Sequence, residues 1–313
     1  MMIQKMLVLQ IKTWLLIMNR VFPSKILLFG EYIVGQGSDA LAIPYSRFSG
    51  YWDIKPEQSN VILSRIAEFI KEIEIGDFLS DYNYAKFNLD INNDLIFNSN
   101  IPIGYGVGSS GALVAAIYSE YFDYKTDKLS DLKLILGKIE DFFHKSSSGI
   151  DPLVSYLNKP ISIRGGSEIE LINYPIGHMK DYGLFLINSR KIRSTGKFVE
   201  IFLNKNNNQI FRKKYTEYQS ELTNEIIDSY ISNNETNVFQ IFKKISESQY
   251  QYMEEMILPE LKSIWKNLLA SSNAAMKLCG AGGGGFYLLM TKSGFDFSEI
   301  MAEFEILQIN PNF

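Results

Sequence analysis

Cysteine is nearly absent: Cys279 stands alone in 313 residues. One thiol excludes an internal disulfide framework and any multi-cysteine metal site, and it suits a reducing, cytoplasmic compartment. Histidine is scarce too. His144 and His178 lie far apart without ligand-like spacing, which argues against a zinc enzyme. A strong charge of either sign is missing: the net charge is −4, and no clustered basic stretch offers a surface for nucleic acid. Long apolar runs are missing as well. The nearest candidate, MMIQKMLVLQIKTWLLIMNRVF at residues 1–22, is interrupted by Lys12 and lacks a small-x-small cleavage motif. Its unbroken part is too short to span a bilayer. Residues 1–20 are therefore expected to be an extension outside the core, with Met18 as the functional start; a surface helix and an export signal are the alternatives.

What is present is ordinary globular composition, 46% hydrophobic and 21% charged with 9 prolines, enough for one large domain or two sharing an interface. KILLFGEYIV (25–34) reads as a buried strand broken by Gly30, and ALAIPY and FSGYWDI as further short strands. Residues 59–75 have helical spacing. YAKFNLDI (84–91) alternates like a strand. ALVAAIYSEYF predicts a helix beginning near Ser110, and LSDLKLILGKIEDFFH (129–144) a second with Ser130 as its N-cap. PLVSYL is a short helix after Asp151; PISIRG and LFLINS are strands; helical periodicity recurs through 197–271. The patch NKNNNQ (204–209) is the expected turn or disordered tip. AAMKLCGAGGGGFYLLM (274–290) predicts a strand, a glycine loop and a strand. The division between an N-terminal α+β half and a helical C-terminal half is expected near 155–165.

The stretch that asks for a function is PIGYGVGSSGALV (102–114). Gly106-x-Gly108-x-x-Gly111 matches a dinucleotide fingerprint, but that fingerprint needs a strong preceding strand inside a βαβ unit, and NSNIP spoils one. A Walker loop needs Gly-Lys-Ser/Thr, and no lysine follows Gly108. A protein-kinase loop would be followed by His-Arg-Asp and Asp-Phe-Gly motifs, and neither occurs. What remains is a run of bare backbone amides entering a helix N-terminus, a natural site for an anion, with serine hydroxyls able to meet Mg²⁺ or a phosphate oxygen. A plain strand-to-helix turn is the bland alternative.

Phosphoryl transfer also needs a metal ligand, a base or orienting carboxylate, and a cation. Residues 140–152, EDFFHKSSSGIDP, offer Glu140 on a helix and Asp151 after a small-residue loop. Each has an ordinary reading: Asp151 before Pro152 suits an N-cap with proline at N1, and Glu140 suits a solvated helix face. Lys25 at the mouth of a buried strand could be catalytic or could snorkel to solvent. Arg193, Ser194 and Thr195 could meet an anionic substrate or cap a surface helix.

Together these segments resemble the GHMP kinases. Pro102-x-Gly104-x-Gly106-x-Gly108-Ser109-Ser110-Gly111 is similar to the family's phosphate loop, Lys25 with Gly30-Glu31 to its N-terminal motif, and Cys279-Gly-Ala-Gly-Gly-Gly-Gly285 to its C-terminal glycine motif. The motifs fall in the family's order. Within the family, His144-x-x-x-Ser148-Gly149-x-Asp151 resembles the mevalonate kinase segment with the catalytic aspartate, Glu140 fits that group's magnesium-binding glutamate, and NSRKIRST resembles the stretch ending in an active-site threonine, here Thr195. Two positions depart: Tyr32 stands where mevalonate kinases have histidine and phosphomevalonate kinases have tyrosine, and Gly111 stands where mevalonate kinases favour alanine.

The resemblance implies an α+β, two-domain fold, with a ribosomal protein S5 domain 2-like N-terminal domain (21–160) that binds nucleotide and a ferredoxin-like, helical C-terminal domain (161–313). It implies ATP and Mg²⁺ as cofactors and transfer of the γ-phosphoryl group to a hydroxyl. The implied roles are Asp151 and Lys25 in catalysis, Ser110 and Glu140 on the metal, residues 102–111 on nucleotide, and Glu31, Tyr32, His144, Thr195, Gly282 and Gly283 around the substrate. The Tyr32 ring and hydroxyl are expected to replace the usual histidine against the acceptor's carboxylate. The favoured acceptor is mevalonate, with phosphomevalonate, a sugar or homoserine as alternatives, and a catalytically silent metabolite-binding homologue as the reading of another class. The expected partner is a small-molecule substrate, with no nucleic acid and no membrane; the resemblance leaves room for a homodimer.

Overall fold

The computed structural model describes residues 20–309 apart from 57, 59, 74–79, 145, 173–179 and 194. The expected N-terminal extension lies outside the described residues, except Arg20. The chain folds as two compact units, each discontinuous in sequence. The first takes the residues up to Lys25, then Pro44–Ile101 and Gly108–Asn158; the second takes Ile26–Ile43, Pro102–Val107 and the chain from Lys159 onward. Two strands, β1 (Phe22–Phe29) and β2 (Ala40–Ile54), carry the chain from one unit to the other. The two short strands expected over 40–54 are this one continuous strand.

In the first unit the far end of β2 receives α1 (Val61–Glu72), α2 (Tyr84–Asn92) and β3 (Leu95–Ser99), which pairs antiparallel with Gly50–Ile54. The strand expected at 84–91 is the helix α2. Its buried residues, Phe87, Asp90 and Ile91, recur at helical spacing, and the Asn83 side chain accepts from the Lys86 amide at 3.0 Å to cap it. Tertiary packing selects three of the eight residues for burial, and the alternation along the rest is incidental. Three helices complete the unit: α3 (Ser109–Tyr121), α4 (Leu129–Glu140) and α5 (Ile150–Leu157). In α3 nearly every residue from Gly111 to Tyr121 is buried, so the helix is apolar on all sides and forms the centre of the unit. The expected Ser130 cap does not form. α4 is capped two residues earlier, with Lys128 at its N-cap and no side-chain cap bond, while Leu132, Ile135, Leu136 and Ile139 make its buried stripe.

In the second unit Ala40–Ala42 of β2 pairs with β4 (Ile161–Arg164), and β4 with β5 (Glu168–Leu171). A separate antiparallel sheet holds β6 (Tyr182–Asn188), β7 (Ala274–Leu278), β8 (Phe286–Lys292) and β9 (Glu305–Gln308) in the order β7-β8-β6-β9. That is the strand order of a ferredoxin-like sheet. Between β6 and β7 come α6 (Thr195–Asn206), a π-helical turn at Arg212–Glu217, α7 (Tyr218–Ile231), α8 (Glu235–Tyr252) and α9 (Pro259–Ala270). The asparagine patch is therefore mostly helix: α6 runs through Asn206, and the Asn208 side chain accepts from the Ile210 and Phe211 amides to start the next turn. The core of this unit gathers Phe202, Tyr215, Met256, Trp265, Met276 and Tyr287. Edge strand β7 is tied to α8 by side chains: Ser246 donates to the Met276 carbonyl, and Gln249 accepts from the Leu278 amide at 2.8 Å. The Trp265 indole donates to Ser246 at 2.9 Å.

Candidate active site

In the first unit, Gly108 is the N-cap of α3 at φ 80°, and being glycine it has no side chain to cap the helix. The first-turn amides of Ser109, Ser110 and Gly111 precede the first intrahelical bond, Ala112 to Gly108, and have no intrahelical acceptor. A Cβ on Gly108 would lie 3.0 Å from Lys25 Cγ and 3.6 Å from Asp151 Oδ2. A lysine–aspartate pair thus lies directly against the glycine turn. Lys25 Nζ is 2.8 Å from Asp151 Oδ1, with side-chain exposures of 7% and 29%.

This arrangement decides between readings that the sequence left open. Asp151 is not a helix cap: Gly149 occupies the N-cap of α5 at φ 70°, and Asp151 lies inside the first turn, where it pairs with Lys25. Lys25 does not snorkel, because its amine is buried on that carboxylate. Glu140, 3% exposed, is no solvated glutamate. Ser110 donates to Glu140 Oε1 at 2.9 Å and Ser147 donates to Oε2. Burial, followed by the negative charge of Asp151, raises Glu140 to about 7, against the opposing pull of both hydroxyls and of Lys25. His144 is exposed, with Nε2 at 3.4 Å from Ser110 Oγ.

No group of three or more His, Cys, Asp or Glu side chains forms a metal centre among the described residues. A carboxylate this deeply buried, its charged form disfavoured, beside a hydroxyl and a second carboxylate nevertheless suits a hard cation that takes its other oxygens from water and phosphate, as Mg²⁺ does. The residues present fit it.

The second unit holds the remaining predicted residues. Pro102, Gly104 and Gly106 lie on its 102–107 segment, where the Arg193 amide donates to the Gly104 carbonyl at 3.2 Å. A Cβ on Gly106 would fall 1.6 Å from Arg193 Nη2, so glycine here makes room for the guanidinium. Arg193 Nη1 in turn donates to the Cys279 carbonyl at 2.8 Å. The guanidinium is thus engaged, through Nη1, with the backbone of the last glycine loop. Glu31 is 4% exposed, and Lys277 donates to its carboxylate. The Tyr32 hydroxyl donates to the Ala281 carbonyl at 2.5 Å, and its ring lies 4.9 Å from Phe202; burial holds its hydroxyl above the usual tyrosine range. The hydroxyl expected to face an acceptor carboxylate is therefore engaged with the backbone of the last glycine loop. Gly282 and Gly283 lie in that loop, where the Gly283 amide donates to the Met256 carbonyl at 2.6 Å. Thr195 opens α6, and its side chain, like Ser194, lies outside the described residues.

Sequence reasoning missed Ser147 and Lys277. Nothing in the run Ser146-Ser147-Ser148 distinguishes the middle hydroxyl. For Lys277 there was a signal: a single lysine inside the apolar strand AAMKL.

Residues 63–159 match the GHMP kinases N terminal domain. This stretch is similar to the N-terminal domain of the GHMP kinases. Beyond it, a mevalonate kinase of Thermococcus onnurineus is 31% identical over 42% of this chain and 47% of its own length, so the chain matches about half the length of such curated relatives. The GHMP kinase fold extends further. The mevalonate kinase structure from Methanococcus jannaschii superposes with a TM-score of 0.60 at 20% identity, covering 93% of this chain and 98% of that one. The phosphomevalonate kinase of Streptococcus pneumoniae, in complex with phosphomevalonate and AMPPNP, gives 0.63 at 15% identity, covering 93% and 99%. At these identities the likeness is one of fold, and it agrees with the α+β, two-domain GHMP architecture expected from the motifs. No helix among the described residues is long and apolar enough to cross a membrane.

Proposed function

We propose that the protein is an ATP-dependent small-molecule kinase of the GHMP type, acting in the cytoplasm on mevalonate to give 5-phosphomevalonate. The observation that carries this reading is the Lys25–Asp151 pair at 2.8 Å, lying against the glycine turn that opens α3. In this reading the amides of residues 108–111 and the α3 dipole hold the donor's phosphates. Asp151 accepts the proton of the acceptor hydroxyl as that oxygen attacks the γ-phosphorus and the bond to the leaving diphosphate breaks. Lys25 keeps Asp151 ionised and offsets the growing negative charge. Ser110 and Glu140 would hold Mg²⁺, which screens the phosphate charge when bound. Little covalent chemistry is asked of the protein, so placement and electrostatics carry most of the rate. A homodimer is compatible with this reading.

Phosphomevalonate is the second reading, favoured by Tyr32 in the Gly-Glu-Tyr sequence. ADP release is measured with mevalonate, phosphomevalonate, homoserine and galactose as separate acceptors. Turnover on mevalonate alone is expected; turnover on phosphomevalonate alone selects the second reading. Asp151→Asn is expected to lower kcat by about 10²–10⁴-fold while retaining nucleotide binding. A protein that binds ATP yet turns over none of the four acceptors would be a metabolite-binding homologue instead.

A further inference from the structure

Ser147 has no part in the proposed chemistry, yet its bonds join the two elements that carry Glu140 and Asp151. Its hydroxyl donates to Glu140 Oε2 and accepts from the Gly149 amide at 3.0 Å. A hydroxyl has one proton and two lone pairs. The Gly149 amide can only donate, so it occupies a lone pair and leaves the proton for Glu140. The Ser147 amide donates in turn to Asp141 Oδ1 at 2.7 Å, at the C-cap of α4. A single residue is thus fastened to the last turn of α4, which ends on Glu140, and to the N-cap of α5, two residues before Asp151.

Packing fixes the two helix ends against each other: a Cβ on Gly149 would fall 2.2 Å from the Lys133 carbonyl oxygen, and one on Gly137 would fall 3.3 Å from the Gly149 Cα. Packing does not fix the rotation of the Glu140 carboxylate. Its two oxygens each meet one hydroxyl, Ser110 on Oε1 at 2.9 Å and Ser147 on Oε2, which leaves about half of its four lone-pair sites for a cation. We infer that Ser147 is a positioning residue whose hydroxyl holds the Glu140 carboxylate in register with the start of α5, and so sets the metal-binding oxygens against the Lys25–Asp151 pair. This deepens the kinase reading and rests on it for the metal and for the rate. Partners that orient a metal-binding carboxylate in this way cost about 10–100-fold in metal affinity or activity when removed.

The experiment uses the full chain. Binding of Mn²⁺ in the presence of ADP, followed by the electron-spin resonance of free Mn²⁺, reads the site without turnover. Steady-state kcat and acceptor KM read the rate, and melting temperature reads the fold. Ser147→Ala is expected to weaken Mn²⁺ binding by about 10–100-fold with little change in melting temperature. Occupancy alone does not restore the placement of the carboxylate, so kcat is expected to stay about tenfold down at saturating metal, with acceptor KM unmoved. Ser147→Thr keeps the hydroxyl and should recover most of both. Ser147→Cys should keep the wild-type preference for Mg²⁺, whereas a direct ligand would turn it towards Cd²⁺. Wild-type Mn²⁺ affinity and kcat in Ser147→Ala would make Ser147 a plain loop cap and overturn the proposal. Full recovery of kcat at saturating metal would break the link to Asp151, failure of Ser147→Thr to rescue would exclude the hydroxyl, and a Cd²⁺ preference in Ser147→Cys would make it a ligand; each overturns it too. A wild type that binds no Mn²⁺ with ADP has no cation for Glu140 to hold, and the proposal falls with it. If the wild type binds Mn²⁺ but turns over no acceptor, the kinase reading fails, and Mn²⁺ affinity alone still decides whether Ser147 positions Glu140.

Discussion

Changing Gly111 to alanine restores the residue that the resembled mevalonate kinase motif favours, and the geometry predicts damage. A Cβ there would lie 2.8 Å from both the Asp151 carbonyl carbon and the Pro152 nitrogen, and 2.9 Å from Asp151 Cβ. Ordinary contact begins at 3.4 Å, so α3 and α5 must part by about 0.6 Å, and backbone atoms cannot swing aside as a flexible side chain could. Overpacking of this kind costs about 1–3 kcal/mol, while glycine to alanine within a helix returns up to about 1 kcal/mol. The net loss is therefore between roughly 0 and 2 kcal/mol, a shift of a few degrees in melting temperature. The rate suffers more. The displaced elements carry Ser110 and Asp151, and since a misplacement of about 1 Å can cost about 10²-fold, about tenfold in kcat is expected. Calorimetry and steady-state turnover at saturating substrates measure the two effects. A Gly111→Ala protein that melts higher and keeps its kcat would refute the close approach of α3 and α5 that the site geometry rests on.

Gly149→Ala sets a Cβ 2.2 Å from the Lys133 carbonyl at a residue with φ 70°. Left-handed strain and overpacking together should lower stability by about 2–5 kcal/mol in urea denaturation. Glu140 gives a pH signature in the metal-free protein. Its folded value of about 7 exceeds the ordinary 4.5, so its contribution to stability is complete below about pH 4.5, is lost as pH rises towards 7, and is flat above. Melting temperature against pH should show this loss, and Glu140→Gln should flatten it and be the more stable protein at pH 8. Arg193→Lys removes the planar fork between Gly106 and Gly280; faster amide exchange in residues 104–107 and 279–281, with a lower kcat, is expected. Unchanged exchange would mean that the guanidinium does not brace these loops.

Much of the site could be read from the sequence because its chemistry forces residue choice. Alternate glycines at 104, 106 and 108 are what left-handed backbone demands, and all three adopt it. The order of three glycine- and acid-bearing segments carried the fold. What could not be read was which of two sound local roles a residue takes. Asp151 before Pro152 fits a helix cap as well as a partner for Lys25, and only the placement of Gly149 at the cap, two residues earlier, decides. YAKFNLDI fits a strand until Asn83 caps it and tertiary packing buries Phe87, Asp90 and Ile91. Lys277 looks like an intruder in a buried strand because its partner, Glu31, lies 246 residues away, beyond the reach of any local pattern.

The pairing of β7 with α8 bears on what the free margin of this sheet can recruit. AAMKL is wholly buried, uncharged but for Lys277, and lies at the margin of its sheet; a margin of that kind invites a strand from another molecule. Ser246 and Gln249 occupy the Met276 carbonyl and the Leu278 amide, so two of the groups that would recruit such a strand are already engaged. The same helix that helps build the core therefore also guards this margin against strand pairing, and aggregation through it on heating should begin only after α8 lifts from the sheet.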